Sequence, residues 1–339
     1  MSPVPDPPGP EAAPRAVVGL DGGATSAKAC RVRQGEQGLA AVAAPAEERY
    51  LRVAGFIPVS REASLSSAPT AQELLAAQAW IAAAARAVAR AAGPGGGVLL
   101  GAALPGLKTP DGRGLAWARH GPRIPDYLAR LESELAAAGV ELLAPAGGLW
   151  SDGDCCGWGE ERAEQGLFRG VRNAWYAGGG TGLAEAFKLG GQPVEMDRMA
   201  ARLQKGWQIP WRDGLTFEDA LSLSGLNARA GGPVETRIEA PRGREAVAET
   251  VEALAELAAR RAREVEQAGF GALERVVVGQ RLGLLLASAP LAPARAALAD
   301  ALAARGLPRT GWLMLSRLRE APALGAAAHA LAAWEATRA

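Results

Sequence analysis

The segment Val17-Val18-Gly19-Leu20-Asp21-Gly22-Gly23-Ala24-Thr25-Ser26-Ala27-Lys28-Ala29-Cys30-Arg31-Val32 constrains the fold more than any other stretch of the chain. Its two flanking apolar runs are short and favour extended backbone, and Asp21-Gly22-Gly23 between them supplies turn chemistry, so the segment reads as a β-hairpin. Glycine lets backbone N–H groups come close to an anion, while Thr25, Ser26 and Lys28 add donors and positive charge. Such a hairpin is shaped to hold a phosphate. It is equally an ordinary hairpin with a glycine-rich tip, and the segment alone leaves both readings open.

Downstream, strands and helices alternate. A helix is predicted over residues 70–92, closed by Gly93-Pro94-Gly95-Gly96-Gly97, then a buried strand over 98–104, stopped by Pro105-Gly106. A helix over about 125–138 leads to a short strand at 140–143. A second hairpin-like unit, 173–189, is built around Gly178-Gly179-Gly180-Thr181-Gly182, followed by a long helix over about 244–267 and a buried strand at Val276-Val277-Val278-Gly279. The tail, 321–334, reads as a final helix with the small-residue run Ala326-Ala327-Ala328. Each half thus carries a glycine turn followed by apolar strands and helices. The pattern implies an α/β fold of two similar domains facing a cleft, divided as 15–145 plus the helix 321–335, and 146–320.

At 339 residues the chain has room for two cores. Its net charge of +1 gives no global basic field, so nucleic acid is not implied as a partner. Residues 1–14, proline-rich and poor in apolar side chains, are expected to form a disordered leader and show no secretory pattern. The alanine-rich stretch 76–92 contains Gln78, Arg86 and Arg90, which suits an amphipathic helix better than a membrane span. A soluble, cytoplasmic protein without membrane partners is the expectation. Cys30, Cys155 and Cys156 have no disulfide or zinc spacing, and adjacent cysteines are most often small buried residues. With only His120 and His329 present, carboxylates are the first candidates for proton transfer.

One carboxylate stands out. In Leu149-Trp150-Ser151-Asp152-Gly153-Asp154-Cys155-Cys156-Gly157-Trp158-Gly159-Glu160, an aspartate follows an apolar strand end and opens a helix-like run. A carboxylate there can take a proton from a hydroxyl that attacks phosphorus. Ser151, Asp152 or Asp154 could each also be a helix N-cap. The two glycine turns together suggest a polyphosphate held between lobes.

The order and spacing of DGGATSAK from Asp21, LPG from Leu104, SDGDCCGWGE from Ser151, GGGTGL from Gly178 and VVVGQRLG from Val276 resembles the sugar-kinase branch of the actin, hexokinase and heat-shock ATPase superfamily. The pattern is most similar to the ROK (repressor, open reading frame, kinase) family, with an opening loop also similar to N-acetylglucosamine kinases and activator ATPases. The resemblance runs from Ala16 to Trp334. It implies the two-lobed actin-like, ribonuclease H-like ATPase fold and ATP-dependent phosphoryl transfer to a hydroxyl of a sugar, amino sugar or polyol. It implies ATP phosphate contacts for Gly22, Gly23, Thr25 and Lys28, with Asp21 near Mg2+. The second phosphate loop is then Gly179, Gly180, Thr181 and Gly182, and Gly279 and Gln280 approach the adenosine. Asp152 takes the place of the general base. Pro105 and Gly106 match the family's turn on the sugar side, and a homodimer is the usual assembly.

The departures fall mainly on the sugar side. Ser151 and Asp154 stand where the family has asparagines, which changes the hydrogen-bond inventory. The family's ExGH sugar clamp is matched by Gln204-Lys205-Gly206-Trp207, without its glutamate or histidine. Trp207 and Trp211, with Arg212 and Asp213, form an aromatic and charged cluster where the family reads its sugar, although single tryptophans are more often core. Gln280-Arg281 interrupts the adenosine-side glycine run with bulky groups that would crowd or contact the base. The family's structural zinc and a DNA-binding helix-turn-helix are not expected. These changes favour an altered acceptor over a plain hexose. They also keep two alternatives open, a partner-coupled ATPase of the activator type and a non-catalytic sugar or nucleotide sensor.

Overall fold

The computed structural model describes residues 14–64, 67–199 and 203–338. The leader expected over 1–14 lies, but for its last residue, outside the described residues. The chain forms two compact units. The first runs through Asp152 and is completed from Pro322 onward, and the second is the continuous stretch Gly153–Ala321.

In the first unit, β1 (Ala16–Gly22) and β2 (Ser26–Gly35) are the arms of the opening hairpin. They are joined by β3 (Gly38–Ala41), β4 (Ala46–Arg49), β5 (Val98–Leu104) and β8 (Leu149–Ser151). The sheet order is β3-β2-β1-β5-β8, with β4 also paired to β2. β1 is antiparallel to β2 and parallel to β5, and β5 is parallel to β8. A separate small ribbon pairs β6 (Leu107–Lys108) with β7 (Leu115–Trp117). The sequence pattern places the division at 145/146. Strand β8 pairs with β5, so the first unit instead extends through Asp152. The strand expected at 140–143 is only an isolated bridge between Leu142 and Val98, because Pro145 and Gly147-Gly148 interrupt the segment before it rejoins β5 as β8.

Side chains alternate across the sheet, so its two faces are covered differently. On one face Val18, Leu20, Leu100 and Leu104 pack with Trp80, Ile81 and Val88 of the helix Ala71–Ala92. The Thr70 side chain caps that helix by accepting the Glu73 N–H at 3.1 Å. On the other face Gly19 and Gly101 lie opposite each other in register. A Cβ at either position would fall 1.8 Å or 1.9 Å from the carbonyl oxygens of Ala323 and Ala326. The helix Ala321–Ala336 therefore lays its backbone directly on the sheet, which needs glycine below and small residues above. Farther along, His329 stacks flat on Trp150, with centroids 3.7 Å apart.

The second unit repeats the topology. β9 (Ala174–Gly179), β10 (Leu183–Leu189), β11 (Gln192–Val194), β12 (Arg275–Gly279) and β13 (Leu313–Leu315) form a sheet ordered β11-β10-β9-β12-β13. Again an antiparallel hairpin is extended by parallel neighbours. Trp175, Phe187, Val276 and Val278 pack with Leu254, Leu257 and Ala258 of the long helix Pro241–Gln267. No single helix among the described residues is long and apolar enough to cross a membrane.

Candidate functional site

The first unit gathers its candidate residues at one end of the sheet. Register places Trp150, Ala103, Asp21, Lys28 and Glu47 in a single row across β8, β5, β1, β2 and β4. Side chains in one row share a face, so Asp21, Lys28 and Glu47 form a charge ladder of alternating sign. One residue farther on come Gly22, Leu104 and Ser151, and the chain then leaves β8 through Asp152 into the helix Asp152–Arg162. Gly22, Pro105-Gly106 and Asp152 thus follow the carboxyl ends of neighbouring parallel strands, the edge at which open α/β sheets bind ligands.

Asp21 is the most perturbed group of this cluster. Burial is the main cause, joined by the Asp152 carboxylate, opposed by Lys28 and further supported by Glu47, and its pKa is pushed up to about 7. Asp21 and Asp152 are therefore close enough for one carboxylate to disfavour ionisation of the other.

The hairpin tip divides its donors. Gly23 donates its N–H to the Ser26 carbonyl at 2.9 Å, which closes the turn. Ser26 is buried and donates its hydroxyl to Glu47 at 2.7 Å, whereas Thr25 is exposed at the tip. By its place in the loop Ser26 is expected to be a donor alongside Thr25; its hydroxyl is instead engaged by Glu47. No motif marks Glu47, which follows the apolar run Leu39–Ala46, and only its pairing with β2 brings it to the site. After Pro105-Gly106, Lys108 Nζ donates to the carbonyls of Leu104 and Gly106, both at 2.8 Å, and so ties the turn to the end of β5.

The second unit assembles the other glycine loop in the same way. Gly180 closes the β9–β10 tip by donating to the Gly182 carbonyl at 2.9 Å, with Thr181 exposed between them. Gly178 pairs with Gly279 across β9 and β12, bringing Gly279 and Gln280 to the same sheet end. Gln280 has a left-handed backbone, φ 52°. Its side chain folds over Gly178 and Gly180, and its amide donates to Cys156 Sγ at 3.6 Å. The bulk expected to crowd or contact the base thus packs against the loop. Glu218, which sequence reasoning missed, accepts the Leu183 N–H at 3.0 Å and lies beside Gly182. Its only local signal is its place in the first turn of the helix Phe217–Leu221.

Asp154 is 4 % exposed and accepts the Met196 N–H at 3.2 Å. Burial, opposed by that hydrogen bond and by Lys205, pushes its pKa up to about 7. Glu160, at the end of the same motif, is pushed up to about 7 by burial and accepts hydrogen bonds from the Ser316 hydroxyl and the Leu167 N–H. Gln204 is exposed and Trp207 half-buried. Trp211 donates its indole N–H to Glu256 at 3.0 Å and carries Arg212 over its ring at 4.1 Å, which gives it a packing role on the long helix.

The raised pKa of Asp154 has a defined consequence for stability. Between about pH 4 and pH 7 the folded state holds a proton that the unfolded state has lost, so its contribution falls as pH rises and levels off above pH 7. Asp154→Asn keeps an oxygen for the Met196 N–H without the charge. The variant should gain about 4 kcal/mol at pH 8 and nothing near pH 4. Urea midpoints at the two pH values measure this.

No family model and no curated protein sequence matches the chain. Solved structures do. A ROK family glucokinase from Streptomyces griseus, in complex with glucose and AMPPNP, superposes with a TM-score of 0.60 at 16% identity, covering 94% of this chain and 99% of its own. A ROK hexokinase from Thermus thermophilus gives 0.56 at 20% identity, covering 95% and 99%. A ROK family transcriptional regulator, a homologue of the Escherichia coli MLC protein, gives 0.52 at 12% identity, covering 93% of this chain and 78% of its own. The likeness establishes the two-lobed actin-like ATPase fold over nearly the whole chain.

Proposed function

We propose that this protein transfers the γ-phosphoryl group of ATP to a hydroxyl of a sugar, amino sugar or related polyol, with Asp152 as general base. The observation that carries this reading is the position of Asp152: it follows β8 at the sheet end that also presents the Asp21–Lys28 hairpin, within electrostatic reach of Asp21. In the transfer, the acceptor oxygen bonds to the γ-phosphorus as the bridging phosphorus–oxygen bond breaks, releasing ADP. Asp152 takes the hydroxyl proton in that step. The Streptomyces neighbour, solved with a sugar and an ATP analogue, supports the pairing of these ligands.

The residues fit the phosphates and a magnesium ion. Lys28 and Thr25 would face the phosphates from the first loop, and Thr181 from the second. Asp21 is held partly protonated by burial and by Asp152, a penalty that a divalent cation would relieve. Among the described residues no group of three His, Cys, Asp or Glu is placed to hold a metal alone. Mg2+ would therefore be shared with phosphate oxygens and water, its usual arrangement. Its contribution is charge neutralisation on the phosphates.

The test is acceptor-dependent ADP release, with the product identified by mass, across glucose, mannose, glucosamine, N-acetylglucosamine, N-acetylmannosamine and inositol. We expect turnover with a substituted sugar to exceed that with glucose. The changed segment Gln204–Trp207 supports a second reading, sugar binding without transfer, which would appear as thermal stabilisation by a sugar with no ADP released. ATP hydrolysis indifferent to every acceptor would instead identify a partner-coupled ATPase.

A further inference from the structure

The segment that replaces the sugar clamp is held from below by a buried ion pair that no sequence motif announced. Glu185 on β10 and Arg261 on the helix Pro241–Gln267 have side chains 2% and 0% exposed, and meet at 2.8 Å. Glu185 Oε1 accepts from Arg261 Nε at 3.0 Å and from the Trp175 indole N–H at 3.1 Å. Its other oxygen, Oε2, accepts the backbone N–H of Gly206. Arg261 Nη2 donates to the backbone carbonyl of Gln204 at 2.7 Å, and Nη1 reaches Glu264 at 2.6 Å. The two charges therefore grip the same short segment at two backbone atoms, one on each side of Lys205. Gly206 then opens the tight turn Gly206–Gln208 that carries Trp207.

A buried ion pair adds little net stability over apolar residues of equal volume, so stability alone does not account for it. Its directed bonds fix backbone, and the backbone they fix is the stretch just before Trp207. We propose that Glu185 and Arg261 are positioning residues for the acceptor, setting the geometry of Gln204–Trp207 without touching the acceptor themselves. The inference rests on the reading that this segment faces the acceptor.

The decisive variant is the double substitution Glu185→Leu/Arg261→Met, which removes both charges of the pair together and releases the Gly206 N–H and Gln204 carbonyl that they hold, along with Trp175 and Glu264. With the best acceptor of the panel above, its KM for the acceptor should rise at least about tenfold, the change expected when one well-placed binding contact is lost. Its KM for ATP should stay within twofold, while its Tm falls because the Trp175 and Gly206 N–H groups and the Gln204 carbonyl lose their partners, so both constants are measured at a temperature where the variant is folded by circular dichroism. An unchanged acceptor KM in a folded double variant would overturn the inference, as would a rise shared equally by ATP and acceptor, which would mark general loosening. Glu185→Gln provides the second arm. It keeps the shape and an oxygen for Gly206 but weakens the grip of Arg261, and should give a smaller rise in the same constant alone. Wild-type turnover is the control that separates the two ideas: a wild type that phosphorylates nothing defeats both, whereas an active wild type with indifferent variants defeats only this one.

Discussion

Asp152→Asn should lower acceptor-dependent turnover by about 10³-fold while leaving nucleotide binding intact. The amide has the carboxylate's shape and cannot accept a proton at neutral pH, so any loss measures proton removal rather than a hole in the fold. Nucleotide affinity should hold or tighten slightly. The Asp152 charge is one reason that Asp21 is held at about 7, and without it Asp21 ionises more readily. Steady-state rates and titration calorimetry with an ATP analogue check both halves. Turnover within tenfold of wild type would remove Asp152 from the role of base.

Gly101→Val should destabilise the protein by about 4 kcal/mol or more, enough to prevent accumulation of folded material. Valine is a better strand residue than glycine, so local propensity favours the change. Packing opposes it decisively. The new Cβ would lie 1.9 Å from the Ala326 carbonyl oxygen, and a backbone atom of a docked helix cannot swing aside as a side chain can. Gly147→Ala is the control. Its Cβ would find its nearest neighbour 4.0 Å away, and the denaturation midpoint should move by no more than about 0.5 kcal/mol. A Gly101→Val protein that unfolds at the wild-type midpoint would mean that the helix Ala321–Ala336 does not lie on this face.

Much of the architecture is local and therefore legible in the sequence. The opening hairpin, the strand 98–104, and the helices beginning near residue 70 and at residue 321 are fixed by turn chemistry and apolar period, and they form as those signals direct. The strand expected at 140–143 failed because an apolar run does not reveal which of two candidates will win the edge of β5. In the candidate site, both glycine loops are visible as short motifs, whereas Asp152 is set apart from Ser151 and Asp154 only by the resemblance. Glu47, Glu218, Glu185 and Arg261 were invisible because their meaning is purely tertiary. A glutamate outside any motif or an arginine in a long helix looks solvated until a partner distant in sequence arrives. Ser26 shows the same limit from the other side. The hairpin that carries it forms as expected, yet its hydroxyl turns to a carboxylate on a strand that the sequence does not reveal.

The glycine pair under the last helix also bears on the order in which the protein is made. The second unit is one unbroken stretch of chain, whereas the first borrows its covering helix from residues that follow the whole of the second. As the polypeptide leaves the ribosome, Gly153–Ala321 has all of its parts while the older sheet still has one side bare. That bare side is the Gly19–Gly101 face, and it stays uncovered until Ala323 and Ala326 have emerged. Domains fold as units once their chain is complete, so the half translated first is the half that matures second. A stop codon just before Pro322 would strand the first unit at that stage, with its opening hairpin formed and no helix to close over it.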